Sequence, residues 1–426
     1  MQISSKQQRG IAIDSGSFSE VYEFSGNDVL RKVVMPDRNV ITRLSIDSRI
    51  PEGEDARSAF DYSYLRLKNK PEVSALSPIY AVDLFSGCGC LTLGALEACR
   101  AIGQGFVPLL AIDKDKDAME VYKENFSPLK TFTGDISTLV NGILGSEPTF
   151  NEKLLKQEYL DNKTPFLLLA GPPCQGYSSL NNFHRQSDDR NILYERVARF
   201  IELTSPENVL IENVPTVIYS KDKVVQRTIQ LLSEKHYFLD SGVVNLADIG
   251  VPQVRKRHVL LASKRKRVSI VNTINSHHVM SKRSFKWAAV DLENELPMGI
   301  LNSPTKHSPD NIKRMTYLHE NDVYILPNDM RPKCHQKPHG YKSMYGRIKM
   351  DIPTQTITSG FTSPGQGRFT HPTKIRTITP HEAARLQLIP DFFNFSKASS
   401  RRSLSLMIGN SVPMKLSYIL CLESLI

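Results

Sequence analysis

A chain of 426 residues is too long for one small core and suits a two-domain enzyme with an additional terminal segment. Its formal charge of +10 points to a polyanionic partner, although net charge bears on association and solubility and not on fold. Six cysteines lack C-x-x-C or Cys–His spacing, the stretch Met1 to Gly10 has no apolar core, and no run nears the roughly 20 apolar residues of a membrane span, which argues against a disulfide framework, a zinc module, a leader peptide and a membrane anchor. The expectation is a soluble protein of a reducing intracellular compartment.

Residues 1–76 mix short β-like runs, Val29 to Val34 and Val40 to Ile46, with Gly, Ser, Asp and Pro punctuation and carry no motif. From Ile79 a regular grammar begins: an apolar run to Leu84, a Gly-rich turn, a helical stretch from Thr92 to Ile102, and an apolar run Val107 to Ile112 closed by Asp113. A helix near Asp115 to Asn125, a strand Pro165 to Ala170, a helix Ile192 to Leu203 and a strand Asn208 to Ile211 continue the alternation. It predicts a doubly wound α/β sheet. After the run His258 to Ala262 the periodicity fades into a polar stretch in which Lys264, Arg265, Lys266, Arg267, Lys282, Arg283 and Lys286 precede the next acid, Asp291. A second domain is expected there. Helical patterns return at Pro380 to Leu388, with Thr379 as N-cap and Glu382 three residues on, and at Val412 to Leu422. The expected division is an N-terminal segment 1–76, a catalytic domain 77–265, a smaller domain 266–400 and a C-terminal segment 401–426 that returns to the catalytic one.

Four segments carry chemistry. Asp83 to Gly94 places Gly87 and Gly89 between strand and helix, where backbone approaches a ligand closely, and Asp113 ends the next strand where a carboxylate accepts bonds from ribose hydroxyls. Taken alone, that turn equally suits a structural bend or a dinucleotide enzyme, although its spacing is not G-x-G-x-x-G. Gly171 to Ser178 presents Cys174 just past an apolar strand, at the sheet edge where such folds keep their active sites; the ordinary alternative is an inert buried thiol. Glu212-Asn-Val214 follows another strand, which sets a carboxyl over the same edge. In Gln253-Val-Arg-Lys-Arg257 alternation puts Gln253, Arg255 and Arg257 on one strand face, the ordinary alternative being a solvated basic face.

In this order the segments resemble the signature blocks of the DNA cytosine-5 methyltransferase family, of the bacterial restriction-modification type. Phe85 to Gly89 resembles its cofactor loop, Pro173-Cys174-Gln175 its nucleophile block, Glu212 to Val214 its acid block and Gln253 to Arg257 its Gln-x-Arg-x-Arg block. Arg376 to Gln387 and Gly409 to Pro413 resemble its last two blocks, and the likeness runs from about Ile79 to Ile426. It implies an S-adenosylmethionine-dependent, Rossmann-like sheet with a smaller target-recognition domain at 266–400.

The resemblance assigns Cys174 as nucleophile, Glu212 as acid, and Arg255 and Arg257 as catalytic cations that favour the thiolate, Arg257 also holding the cytosine O2. Around S-adenosylmethionine it sets Phe85, Ser86, Gly87, Gly89, Asp113, Lys114, Asp135, Ile136, Pro172, Leu193, Asn410 and Val412. Cys90 departs from the family's usual glycine, and Lys114 from a larger apolar residue. Gln253 and the run Lys264, Arg265, Lys266 and Arg267 are expected on DNA, and the polar stretch Ser178 to Arg190 is expected to close over it. No metal is implied. The implied partners are double-stranded DNA and a cognate restriction endonuclease, and the implied setting is a monomer on the nucleoid in the cytoplasm of a bacterial or phage-infected cell. Rival readings are a tRNA cytosine methyltransferase and a catalytically silent DNA-binding relative. Against the first, the long basic segment 264–375, ending in Tyr345-Gly-Arg347 and Pro353 to Thr358, resembles a DNA target-recognition region.

Overall fold

In the computed structural model residues 11–14, 18–72, 77–173, 192–220, 222–336 and 343–426 are described. Cys174 and the stretch Ser178 to Arg190 lie outside them. The chain opens with β1 (Ile11–Asp14), β2 (Ser19–Ser25), β3 (Asp28–Val34) and β4 (Asn39–Ser45), an antiparallel meander in that spatial order, followed by α1 (Ala56–Leu65). Register puts Tyr22 opposite Arg31, Arg31 opposite Thr42, and Val29 opposite Leu44, so Glu20, Tyr22, Val29, Arg31, Val33, Thr42 and Leu44 share one face. That face is buried, with Tyr22 edge-on to Phe60 of α1 at 5.5 Å.

The doubly wound body follows: β5 (Ile79–Leu84), α2 (Cys90–Ala101), β6 (Phe106–Asp113), α3 (Lys116–Phe126), β7 (Lys130–Thr133), the short α4 (Phe150–Leu154), β8 (Leu167–Ala170), α5 (Ile192–Thr204), β9 (Asn208–Asn213), α6 (Val224–Glu234) and β10 (Phe238–Asn245). After them come β11 (Gln253–Val254) and β12 (Lys256–Ser263). Seven strands form one sheet in the order β10-β12-β9-β8-β5-β6-β7, all running the same way except β12, which is antiparallel to both its neighbours. Every residue of β8 and β9 is buried, as strands covered on both faces must be. One face carries α2 and α3, the other α5 and α6.

The remaining elements are α7 (Ile270–Ser276), α8 (Phe285–Ala289), α9 (Gly299–Asn302), α10 (Pro309–Glu320), β13 (Thr354–Gln355), α11 (Pro380–Leu386), α12 (Arg401–Asn410) and α13 (Met414–Leu425). Helix α13 is buried from Met414 to Ser424 and lies along α2, inside the body. Thr379 caps α11 with Glu382 in a reciprocal capping box, as predicted. Two sequence expectations change. The chain does not leave the body at 265, because α7 packs on β10 and α13. Gln253 to Arg257 is not one strand: the ladder breaks at Arg255, with β11 pairing β13 and β12 joining the main sheet. Among the described residues no single helix is long and apolar enough to cross a membrane.

Candidate active site

The C-terminal ends of β5, β6, β8 and β9 meet the N-terminal end of antiparallel β12 at one sheet edge, around the crossover between β5 and β8 where such sheets bind ligands. A cavity of about 1030 Å³ opens there. One wall comes from the sheet edge, the other from Ser343, Gln355 to Ser359, Leu406, Met407 and Gly409 to Val412.

The turn after β5 forms the cavity's floor. Phe85 sits at φ 58, a left-handed conformation that costs a non-glycine residue about 1–2 kcal/mol and is kept where geometry is imposed by function. Gly89, at φ 96, is the N-cap of α2, and a Cβ there would lie 2.3 Å from the Phe126 ring. Gly87 N donates to Asp113 Oδ2 at 2.7 Å, so the carboxylate at the end of β6 steadies the turn, while burial pushes its own carboxyl upward. Asp135 is exposed, with Oδ1 accepting from Ser137 N at 2.8 Å. Phe85, Ser86, Gly87, Asp113, Lys114, Asp135, Ile136, Pro172, Leu193, Asn410 and Val412 all line the one cavity. Gly89 does not line it; its part is to cap α2. Cys90 and Ser411 close the wall between the turn and α12, Sγ to Oγ at 3.2 Å.

Glu212, near the end of β9, is buried and paired with Arg257 Nε at 2.6 Å. Burial raises its carboxyl above the usual range, against the pull of Arg257 and Arg255. Asn213 was not singled out by the sequence, yet its amide donates to Pro172 O at 3.2 Å and so ties β9 to the segment that leads into Cys174. Pro173 lines the cavity, and Cys174 follows it directly in the chain. Arg255 lines the same cavity and acts on the Glu212 carboxyl, and its guanidinium donates to Ile357 O at 2.9 Å, which ties the far wall to the sheet edge.

These walls lie in the stretch that a family model matches: residues 79–423 correspond to the C-5 cytosine-specific DNA methylase. The chain belongs to that family. This methyltransferase is 42% identical to the Type II methyltransferase M1.BsuMI of Bacillus subtilis (strain 168), over 99% of both chains, and 29% identical to the Type II methylase M.HgiDII of Herpetosiphon aurantiacus, over 80% of this chain and 93% of the other. Its fold is that of the S. pombe Dnmt2 methyltransferase, at a TM-score of 0.54 and 20% identity, over 81% of this chain and 98% of that one. The family uses S-adenosylmethionine, and the cavity suits it: Ser86 Oγ is buried there without a partner among the described residues, beside the carboxylate of Asp113.

Two DNA-contact expectations fail on geometry. Gln253 of the methyltransferase is fully buried, its amide donating to Leu386 O and Gln387 Oε1 at 2.8 Å each and accepting from Ile357 N at 3.1 Å. It ties β11 to α11 and to the wall at Ile357, and buried there it is in no position to read a base. Lys264, Arg265, Lys266 and Arg267 follow the wrong end of β12: antiparallel pairing sets Ser263 opposite Asn208, the start of β9, so the run lies at the sheet edge away from the cavity. Seven residues of extended chain separate Lys264 from Arg257, roughly 23 Å. There Lys264 donates to Ser205 O at 2.7 Å, Arg265 lies over the Phe166 ring and Lys266 faces Glu423 at 3.6 Å.

Asp83, one turn below the cavity, is pushed up to about 7 by burial and by Asp113, against the hydrogen bond from Thr92 Oγ1 at 2.6 Å; its Oδ1 has no partner among the described residues. Between about pH 4 and pH 7 the native form holds a proton that the unfolded chain has released, so Asp83 costs stability increasingly as pH rises through that window. Asp83→Asn is therefore expected to stabilise the methyltransferase by an amount that grows from pH 4 and levels off above pH 7, at most about 4 kcal/mol. Urea unfolding of both proteins at pH 4.5 and pH 8 measures it; equal differences at the two pH values would contradict the assignment.

Proposed function

We propose that this enzyme methylates carbon 5 of a cytosine flipped out of duplex DNA at a defined sequence, through a covalent adduct with Cys174 and with S-adenosylmethionine as donor. One juxtaposition supports the reading most: Glu212 and Arg257 are paired at 2.6 Å in the cavity that Asp113, Asp135 and Asn410 also line, beside Pro173, the residue before Cys174.

Bound S-adenosylmethionine supplies an electrophilic methyl group. Asp113 would accept from its ribose hydroxyls and Asp135 from its adenine amine, while Ser86, Asn410 and Val412 would shape the remainder of its pocket. The Cys174 thiolate adds to carbon 6 while Glu212, whose carboxyl burial raises, supplies a proton to N3; carbon 5 then carries the electron density that takes the methyl. Arg257 holds the cytosine O2 and, through its ion pair, the Glu212 carboxyl. A solvent base removes the carbon 5 proton, the carbon 6–sulfur bond breaks, and N3 returns its proton to Glu212. Ring aromaticity and the thiolate are restored together.

The small domain, which forms the opposite wall, chooses the sequence by reading base edges in the major groove. The likeness to M1.BsuMI across 99% of the chain supports a role in a Type II restriction-modification system, protecting host DNA from a cognate endonuclease. Both walls of the cavity come from one chain, which supports a monomeric enzyme; its proposed setting is nucleoid DNA in the cytoplasm. The test is transfer of labelled methyl groups to duplex DNA and to tRNA, with bisulfite sequencing of the product. Methylcytosine at one recurring duplex sequence is expected; labelling of tRNA alone contradicts the reading.

A further inference from the structure

The N-terminal sheet lies outside residues 79–423, which the family model matches, but inside the alignment with M1.BsuMI. Its buried face reaches the two helices that begin at the cavity. α2 starts directly after the turn Ser86 to Gly89, and α13 starts directly after Pro413, just past Asn410 and Val412. Arg31 of β3, 2% exposed, donates to Tyr418 Oη on α13 at 3.0 Å and pairs with Glu97 Oε1 on α2 at 2.8 Å. Asp61 of α1 takes Lys415 Nζ, in the first turn of α13, at 3.0 Å on both oxygens. Glu20 of β2 accepts from the Tyr418 hydroxyl and pairs with His277 at 2.9 Å.

Between these points the helices touch closely, since a Cβ on Gly94 of α2 would lie 2.2 Å from Met414 O and 2.1 Å from Ser417 Oγ. At the cavity Cys90, which opens α2, meets Ser411, in the short link between α12 and α13. An apolar side chain would dock the sheet without the desolvation cost of a buried guanidinium. What the planar fork of Arg31 adds is a fixed spacing between two partners on different helices.

We propose that the N-terminal unit is a brace for the cofactor site, with Arg31 and Asp61 as positioning residues that hold α2 and α13 so that Ser86 to Gly89 and Asn410 to Val412 stand at the separation S-adenosylmethionine bridges. This rests on the cofactor assignment above. Calorimetric titration of S-adenosylmethionine tests it. Arg31→Met, which leaves Glu97 its second partner Arg100 at 2.6 Å, is expected to raise the cofactor Kd roughly 2- to 30-fold, the reach of residues coupled to a site only through packed neighbours. The KM for cofactor rises more than kcat falls, and Arg31→Lys recovers part of the loss, since an ammonium serves one helix but not both. Leu232→Ala, buried in α6 on the opposite face of the sheet, is the control of comparable melting loss and keeps wild-type affinity.

In the wild-type protein, cofactor addition slows amide exchange in β2, β3 and α1, because coupling between sites is reciprocal. That measurement needs no variant and decides the matter if Arg31→Met does not fold. An unchanged Kd in Arg31→Met, or exchange in these elements that is indifferent to cofactor, overturns the brace. Wild-type protein that binds no S-adenosylmethionine overturns the cofactor assignment instead.

Discussion

Serine in place of Cys174 is expected to lower methyl transfer by roughly four orders of magnitude or more, with the cofactor Kd changed by no more than about twofold. Carbon 5 of cytosine is too weak a nucleophile to take a methyl unaided, and the enzyme's remedy is a soft, ionisable nucleophile at carbon 6. A thiol near pKa 8.5 is already a few per cent ionised at neutral pH, and under the proposed mechanism the charges of Arg255 and Arg257 favour that form; an alcohol stays protonated. None of the residues assigned to the cofactor changes. Single-turnover transfer and calorimetry on the same preparation separate the two effects, and appreciable turnover by Cys174→Ser would remove the thiol from its role.

Glu212→Gln is expected to lower kcat about 10²- to 10⁴-fold, the usual contribution of a placed acid, with little change in cofactor affinity. The amide keeps the shape and still accepts from Arg257, but has no proton for N3. Burial raises the Glu212 carboxyl, so its acid form persists to higher pH than in an exposed glutamate. The wild-type rate should therefore fall as pH climbs through that raised pKa, and the variant should lose this limb of the profile. Asp113→Ala makes the contrast: cofactor Kd rises through the lost ribose contacts while the chemical step is spared. Equal rises in Kd for both variants, with an unaltered chemical step, contradict this division of labour.

Most of the sheet edge was legible in the sequence because its central strands are short, wholly apolar runs that end on the residues of interest: Asp113 closes β6, and Glu212 and Asn213 close β9. The antiparallel pair β10 and β12 was harder, since β10 is half exposed at an edge and alternates little. That gap misled the reading of Lys264 to Arg267: four cations in a row look like a phosphate grip until the direction of β12 is known. Gln253 misled for another reason, because an amide that joins distant backbone segments has the same composition as one that reads a base. The N-terminal sheet carried no motif at all. Its meaning lies in pairings such as Arg31 with Tyr418, 387 residues apart, which no local pattern encodes.

The central claim is the covalent route, and it is tested most directly on duplex DNA carrying 5-fluorocytosine at the methylated position. Fluorine at carbon 5 leaves no proton to remove after methyl transfer, so the carbon 6–sulfur bond cannot break. The wild-type enzyme with S-adenosylmethionine is expected to yield a DNA–protein complex that survives denaturation, with the modified peptide mapping to Cys174. Free protein and unmodified 5-fluorocytosine DNA, from an enzyme that still methylates ordinary cytosine at the same site, would contradict the account.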